Sequence, residues 1–395
     1  MGHHLDAKSN LVPLIDRLNK YPIGLVDSEK LRKILSFLFT EQEAIIASSF
    51  PLEETTLPEL ARLTSLKEEK LQTILASMAD KGLVMDLPYG NTTYYLLVPG
   101  LIGFFELTFM KNRSDLPMTE LARLMADYLH DRPHSGGQAD EFFGSRTPLT
   151  RSLVYEEHIP VSSQIATYEQ ARKIITSAGY GAAGMCYCRH AKQHLGETCK
   201  KGAPVEGICI SLGAGAKFLV RRGFAHEKST EELLAILDQA RQLNLTHVTD
   251  NIRHKPSFIC NCCQCCCELM AGVQEGFHQG IGKTGFLATI DESQCVGCGL
   301  CFAACNVKAI GPAAGQTAGD TPIAQVNRAV CLGCGACISV CPHNAISLVE
   351  LAERPVPPAK RQELFVRILK EKGRLLPFVV GRMKKKIGSL LPFKR

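Results

Sequence analysis

Two cysteine runs near the carboxyl end constrain this chain more than any other feature. They read Cys295-x2-Cys298-x2-Cys301-x3-Cys305 and Cys331-x2-Cys334-x2-Cys337-x3-Cys341-Pro342. Cysteines at i, i+3 and i+6 let one tight loop wrap three corners of an iron–sulfur cubane, and the fourth ligates the cluster of the other half. The expected sets are Cys295, Cys298, Cys301 and Cys341 for one cluster, and Cys331, Cys334, Cys337 and Cys305 for the other. Zinc knuckles need only four ligands in Cys-x2-Cys pairs, so a triple run repeated twice is the wrong arithmetic for zinc. Cysteines this close in sequence also rarely reach disulfide geometry.

The two runs belong to an internal repeat with an offset of 36 positions. Ala288-x-Ile290-Asp291 precedes one and Ala324-x-Val326-Asn327 the other; Ala309-Ile310 and Ala345-Ile346 follow them. Such a duplication predicts two cluster loops sharing one small core. Residues 286–350 thus resemble a bacterial-type dicluster ferredoxin, which implies two [4Fe-4S] clusters. Two departures stand out: Asn306 replaces the proline usual after the fourth cysteine, and Gly311–Pro322 makes a longer linker. Neither removes a ligand.

The other ten of the 18 cysteines lie between positions 186 and 267. Cys186-Tyr187-Cys188-Arg189-His190 is followed by Cys199 and Cys209, then by Cys260-Asn261-Cys262-Cys263-Gln264-Cys265-Cys266-Cys267. Six thiols in eight residues cannot all be packed as small apolar side chains. A crowd of thiols survives best as metal-bound thiolates, which predicts one or two further iron–sulfur clusters. The simplest division puts Cys186, Cys188, Cys199 and Cys209 on one centre and four of the Cys260–Cys267 group on another, leaving two over. Mixed sets are equally allowed by spacing. Arg189 and His190 are candidate donors to sulfur, whereas His190, His194 and His247 read as exposed side chains rather than ligands. Ser211-Leu212-Gly213-Ala214-Gly215-Ala216 lacks the third glycine and the acidic residue of a dinucleotide site and reads as a tight turn. A flavin site carries no short motif and stays open. The helices expected here are Tyr168–Ala178 and Ser229–Leu243, the second opening on a Ser229/Glu232 capping box.

Upstream, apolar residues at helical spacing over Leu31–Ser48 predict a helix (Leu31, Ile34, Leu35, Leu38, Ile45, Ile46). Leu57–Leu63 and Leu66–Lys81 follow as helices, then two strands around the turn Tyr89-Gly90-Asn91. This order resembles a winged helix-turn-helix domain. Its reader helix offers Lys67 and Lys70 beside Glu68 and Glu69, too neutral for phosphate contact, so docking is favoured over DNA binding. Leu101–Met110 and Leu116–His130 read as further helices, and Gly136-Gly137 to Thr150 as a linker.

Ala359–Arg395 holds twelve Lys/Arg against two Glu, a charge of +10 in a chain of net +6. Pro355–Pro358 reads as a stiff linker and Glu363–Lys372 as an amphipathic helix. The apolar segments around Lys384-Lys385-Lys386 suit an anionic membrane surface or an acidic partner.

The expected fold is multidomain α+β. A winged helix-turn-helix-like domain spans 1–145, a cysteine-rich α/β iron–sulfur domain 146–285, a ferredoxin-like dicluster domain 286–350, and a basic amphipathic helical tail 351–395. Winged helix, Cys-x-Cys-Arg, the Cys-Asn-Cys-Cys-x-Cys-Cys-Cys block and a dicluster ferredoxin together resemble a family of anaerobe iron–sulfur proteins. That resemblance implies electron transfer in anaerobic metabolism. The start of the chain is not a secretory leader, and the cysteine usage fits a reducing compartment, so a cytoplasmic protein is expected, with peripheral contact to the inner face of the membrane through the tail. The expected role is a carrier relaying single electrons to or from a redox enzyme partner. The alternatives are an oxidoreductase with an unusual cluster or flavin in the middle domain, and a redox-sensing regulator.

Overall fold

The computed structural model describes residues 11–130, 133–160, 163, 165–318, 321–376 and 378. The fold is mixed α+β, with fifteen α-helices and several sheets among those residues.

In the amino-terminal region the helical stretch read over Leu31–Ser48 breaks in two, Glu29–Leu38 and Glu41–Ser48. The cause is a capping box: Thr40 Oγ1 accepts from Glu43 N at 3.3 Å, and Glu43 Oε2 accepts from Thr40 N at 2.9 Å. The break turns Ile46 inward and leaves Ile45 exposed, contrary to the single-face reading. Leu57–Thr64 ends at Ser65, whose φ of 56° turns the chain into Glu68–Asp80. Leu60, Leu71, Leu75 and Met78 from this pair join Leu31, Ile34 and Leu35 in one buried core. Val84–Tyr89 and Thr92–Leu97 form a hairpin, and Thr55–Thr56 adds a third strand on its Thr92–Leu97 side.

Two further segments of this region differ from their sequence reading. Leu101–Met110 is helical only over Phe105–Thr108. Leu101, Ile102 and Gly103 leave helical geometry, with Ile102 at φ 46°, an uncommon conformation for a β-branched residue. The Glu106 carboxylate holds this kink by accepting Gly103 N–H at 2.6 Å. The expected linker after Gly136 contains a helix, Gln138–Phe143. The buried Gln138 amide accepts from Val26 N at 2.8 Å and Tyr128 OH at 2.6 Å, and donates to Gly24 O. Its Gly-, Pro- and Ser-rich composition concealed a junction fastened by Gln138 and by Glu141, which accepts from Gly24 N at 2.7 Å.

A seven-stranded sheet organises the middle of the chain. Its order is Ile281–Gly282, Thr150–Ser152, Thr246–Asp250, Phe258–Cys262, Cys209–Leu212, Gly181–Gly184 and Ala225–Glu227. All pairs are antiparallel except the first. The Thr230–Gln242 helix carries the expected capping box between Ser229 and Glu232. The Gly213 region turns sharply, at φ 63°, from strand Cys209–Leu212 into helix Gly213–Arg221.

Over residues 286–350 the two repeats exchange strands. Phe286–Ile290 of the first pairs with Ile346–Glu350 of the second, and Ile310–Ala318 pairs with Thr321–Val326. The stretch read as a long linker is therefore mostly a hairpin.

Helix Arg361–Glu371 folds back on the protein. Its Leu364 and Ile368 are buried in the amino-terminal core, Lys372 and Arg374 pair with Glu141, and Arg361 pairs with Asp250. The apolar face of this helix is thus covered by the chain itself. Val379, Val380, Lys384–Lys386 and the apolar residues from Ile387 to Phe393 lie outside the described residues. No helix among the described residues is long and apolar enough to cross a membrane.

Candidate metal centres

The strand exchange brings the cysteine runs into two groups. Cys295, Cys298, Cys301 and Cys341 line one small cavity with Gly297 and Gly299. Gly297 (φ 71°) and Gly299 (φ 74°) sit in left-handed geometry that lets the loop close tightly. Ala324 N–H points at Cys295 Sγ (3.4 Å). Burial first, then the thiols of Cys295, Cys298 and Cys341, push Cys301 up to about 11. In the second group, burial and then the thiols of Cys305 and Cys331 push Cys334 up to about 11, although Ala336 N–H and Thr246 oppose them. Cys337 is raised by burial and by Cys334, Cys305 and Cys331. Crowded thiols in which Cys301, Cys334 and Cys337 resist ionising are donor sets that a cationic cluster satisfies. Cys301 also contributes to the raised Cys337, so the two groups adjoin.

Residues 288–348 match the family model of the 4Fe-4S dicluster domain. This segment is an iron–sulfur, ferredoxin-type domain, and its donor sets suit [4Fe-4S] clusters. The match leaves the ten middle cysteines outside the dicluster domain. No curated protein and no solved structure matches the chain.

The middle cysteines fall into a nest and a ring, and the simplest division by segment does not hold. Cys199, Cys263, Cys265 and Cys266 form the nest, with all four sulfurs within 4.8 Å of one another. Cys199 lies 3.7 Å from Cys263 and 3.8 Å from Cys265, and Lys200 N–H reaches Cys265 Sγ. The remaining six close a ring: Cys186 meets Cys188 and Cys209, Cys188 meets Cys267, Cys267 meets Cys262, Cys262 meets Cys260, and Cys260 meets Cys209. No thiol is left over.

Acidity alternates around this ring. Hydrogen bonds from Cys188 and Cys209 lower Cys186, those from Cys188 and Cys262 lower Cys267, and those from Cys209 and Cys262 lower Cys260 to about 6. The intervening Cys188, Cys209 and Cys262 are raised. Each lowered thiol has two neighbouring thiols as hydrogen-bond partners; bound metal would replace those partners.

Buried cations and amides join the groups. Arg189, only 2% exposed, donates to Asn261 O at 2.9 Å. Burial opposes its charge, but Cys186 and Cys209 of the ring and Cys263 of the nest, with a hydrogen bond to Cys199, raise its pKa. Lys201 donates to Ala304 O at 3.0 Å and Asn244 O at 2.8 Å. Burial lowers its pKa, against the thiols of Cys334 and Cys305 in the dicluster domain and Cys263 and Cys265 in the nest. Asn306, 2% exposed, donates to Asn244 O and Thr246 Oγ1 and accepts from Gln264 N at 3.1 Å. Thr246 Oγ1 in turn reaches Cys334 Sγ at 3.6 Å. The groups thus run in series: first dicluster set, second dicluster set, nest, ring.

Two histidines read as exposed are buried. His190 Nδ1 donates to Phe109 O at 2.8 Å, and His247 Nδ1 meets Asn261 Oδ1 at 2.6 Å. Burial lowers His247 to about 4, which keeps it neutral. His190 thus serves the Phe109 backbone and His247 the Asn261 side chain; neither belongs to a cysteine group. His194 is half-buried and packs on the His190 ring. Lys201 and Thr246 had no sequence signal as site residues, while Asn306 was visible only as a missing proline.

Proposed function

We propose that this chain is a multi-cluster iron–sulfur protein that relays single electrons to or from a redox enzyme partner in anaerobic metabolism. The observation that carries the reading is the series of four thiol groups, joined through Cys301 and Cys337, Lys201 and Arg189. Cys295, Cys298, Cys301 and Cys341 hold one cubane, Cys331, Cys334, Cys337 and Cys305 the second, and the nest of Cys199, Cys263, Cys265 and Cys266 a third. When bound, such clusters accept and release electrons without making bonds. The protein supplies spacing, insulation and charge compensation.

Cys298 is exposed and flanked by exposed Val296 and Leu300. This apolar rim supports the first dicluster set as the place where a redox partner approaches. The amino-terminal region reads as a winged helix used for docking. Its wing residue Asp86 is held by Arg221 and Arg222 from the middle region, so this surface serves the chain's own assembly rather than DNA.

A second reading, an oxidoreductase with a flavin or small substrate, is favoured by one cleft. It has a volume of about 900 Å³ between helix Glu68–Asp80 and strand Gly181–Gly184, and reaches Met185, beside ring member Cys186. Flavin released on denaturation would decide for it.

Protein purified without oxygen should contain iron and sulfide in near-equal amounts and lose a broad visible shoulder on dithionite reduction. Cys298→Ala should cost about four irons and one paramagnetic resonance signal. Colourless or zinc-loaded protein overturns the reading.

A further inference from the structure

The geometry points to a single iron–sulfur cluster larger than a cubane, held by all six thiols of the ring. The inference rests on the iron–sulfur reading above and names the occupant of a site outside the dicluster domain. A cubane offers four corners to thiolates. Were a cubane bound here, two ring members would be spare, yet the ring has no break that separates four from two. Each thiol meets two others, and the order is Cys186, Cys188, Cys267, Cys262, Cys260, Cys209 and back to Cys186. The adjacent nest cannot use a spare ligand, because its own four thiols already complete a set.

The ring also has an internal symmetry that spacing along the chain does not reveal. Cys186-x-Cys188 and Cys260-x-Cys262 face each other as equivalent pairs, and Cys209 and Cys267 sit singly between them. Each half therefore supplies three thiolates: one Cys-x-Cys pair and one single cysteine. Three thiolates cap three corners of a cubane and leave its fourth iron free. Two such halves, joined through one sulfide shared by the two free irons, use six thiolates and about eight irons. The elements suit a closed cage. Cys186 precedes helix Tyr187–His194, Cys209 opens a strand, Cys260 and Cys262 end the next strand, and Cys267 precedes helix Glu268–Gln274. Arg189 N–H and Met270 N–H point at Cys186 and Cys267, and the Arg189 guanidinium lies beside Cys186 and Cys209, so charge compensation for a large anion is built in.

Native mass spectrometry of the full chain, loaded with iron and sulfide without oxygen, tests this. The expected content is about 20 irons per chain, against about 16 if the ring held one cubane. All ten middle cysteines should resist iodoacetamide until the clusters are destroyed. The double variant Cys263→Ser/Cys266→Ser should drop to about 16 irons by losing the nest alone, with the ring cysteines still protected. A wild-type count near 16 with two ring cysteines alkylated overturns the six-thiolate cluster and leaves the electron-transfer reading standing. A chain that takes up no iron, or zinc instead, overturns both.

Discussion

The dicluster domain and the middle region solve the same problem by opposite routes. In the dicluster domain three ligands of each set come from one loop of seven residues, and only Cys305 and Cys341 cross over. In the middle region the ring draws on helix Tyr187–His194, two strands and the start of helix Glu268–Gln274. Neighbours in sequence are separated there: Cys262 joins the ring while Cys263 joins the nest. A local loop can close around a cluster at small entropic cost, whereas a ring built from distant segments needs the sheet to form first. Clusters in the dicluster domain should thus tolerate damage elsewhere, and those in the middle should not.

The largest expected test of that contrast is Arg189→Met. It removes a buried cation flanked by thiols of both middle groups and its hydrogen bond to Asn261 O. Leaving buried thiolates uncompensated should cost about 3–5 kcal/mol in denaturant unfolding. Iron should be lost from the middle groups while the dicluster signals persist. Equal loss from both regions would break the comparison.

Asn306→Pro comes next and attacks the seam. It restores the residue usual in compact ferredoxins but deletes the donors to Asn244 O and Thr246 Oγ1 and the acceptor for Gln264 N. The expected cost is on the order of 3 kcal/mol, with the dicluster iron retained. Electron exchange between the dicluster domain and the nest should slow, measured by freeze-quench resonance after reduction with a one-electron donor.

The same contrast explains what the sequence disclosed. The dicluster domain was legible because spacing and repeat encode a local loop, whereas the pairing of Phe286–Ile290 with Ile346–Glu350 is what the structure adds. The partition of the middle cysteines was not legible, since side-chain direction alternates along strand Phe258–Cys262 and then breaks into a turn, sending adjacent thiols to different groups. The kink at Ile102 escaped for a related reason: an apolar run with helical spacing was overridden by Gly103 N–H bonding Glu106. His190 and His247 looked exposed because their acceptors, Phe109 O and Asn261 Oδ1, lie on other segments.

Asp86→Asn probes the amino-terminal grip on the middle region. It removes the charge attraction to Arg221 and Arg222 while preserving shape. Both arginines are partly exposed, so a loss of about 1–2 kcal/mol is expected, shrinking further at high salt. A middle region that keeps its iron at unchanged stability would show that the wing contact is dispensable.

The smallest effect is a pH dependence at the second grip. His130, at the end of helix Met118–Leu129, pairs with Glu268 and Glu275 at 2.6 Å each. The hydrogen bond to Glu268 raises its pKa to about 9; burial opposes this, and Glu275 adds to it. A histidine with a raised folded pKa adds stability in full below its unfolded value of 6.5, and that stability is lost as pH rises through about 9. The protein should therefore weaken from neutral to alkaline pH by about 1–2 kcal/mol, discounted because the ring is nearly one-third exposed. His130→Gln should abolish this slope. Because Glu268 follows ring member Cys267 directly, loosening the clamp should also speed iron loss from the middle groups at alkaline pH while sparing the dicluster domain.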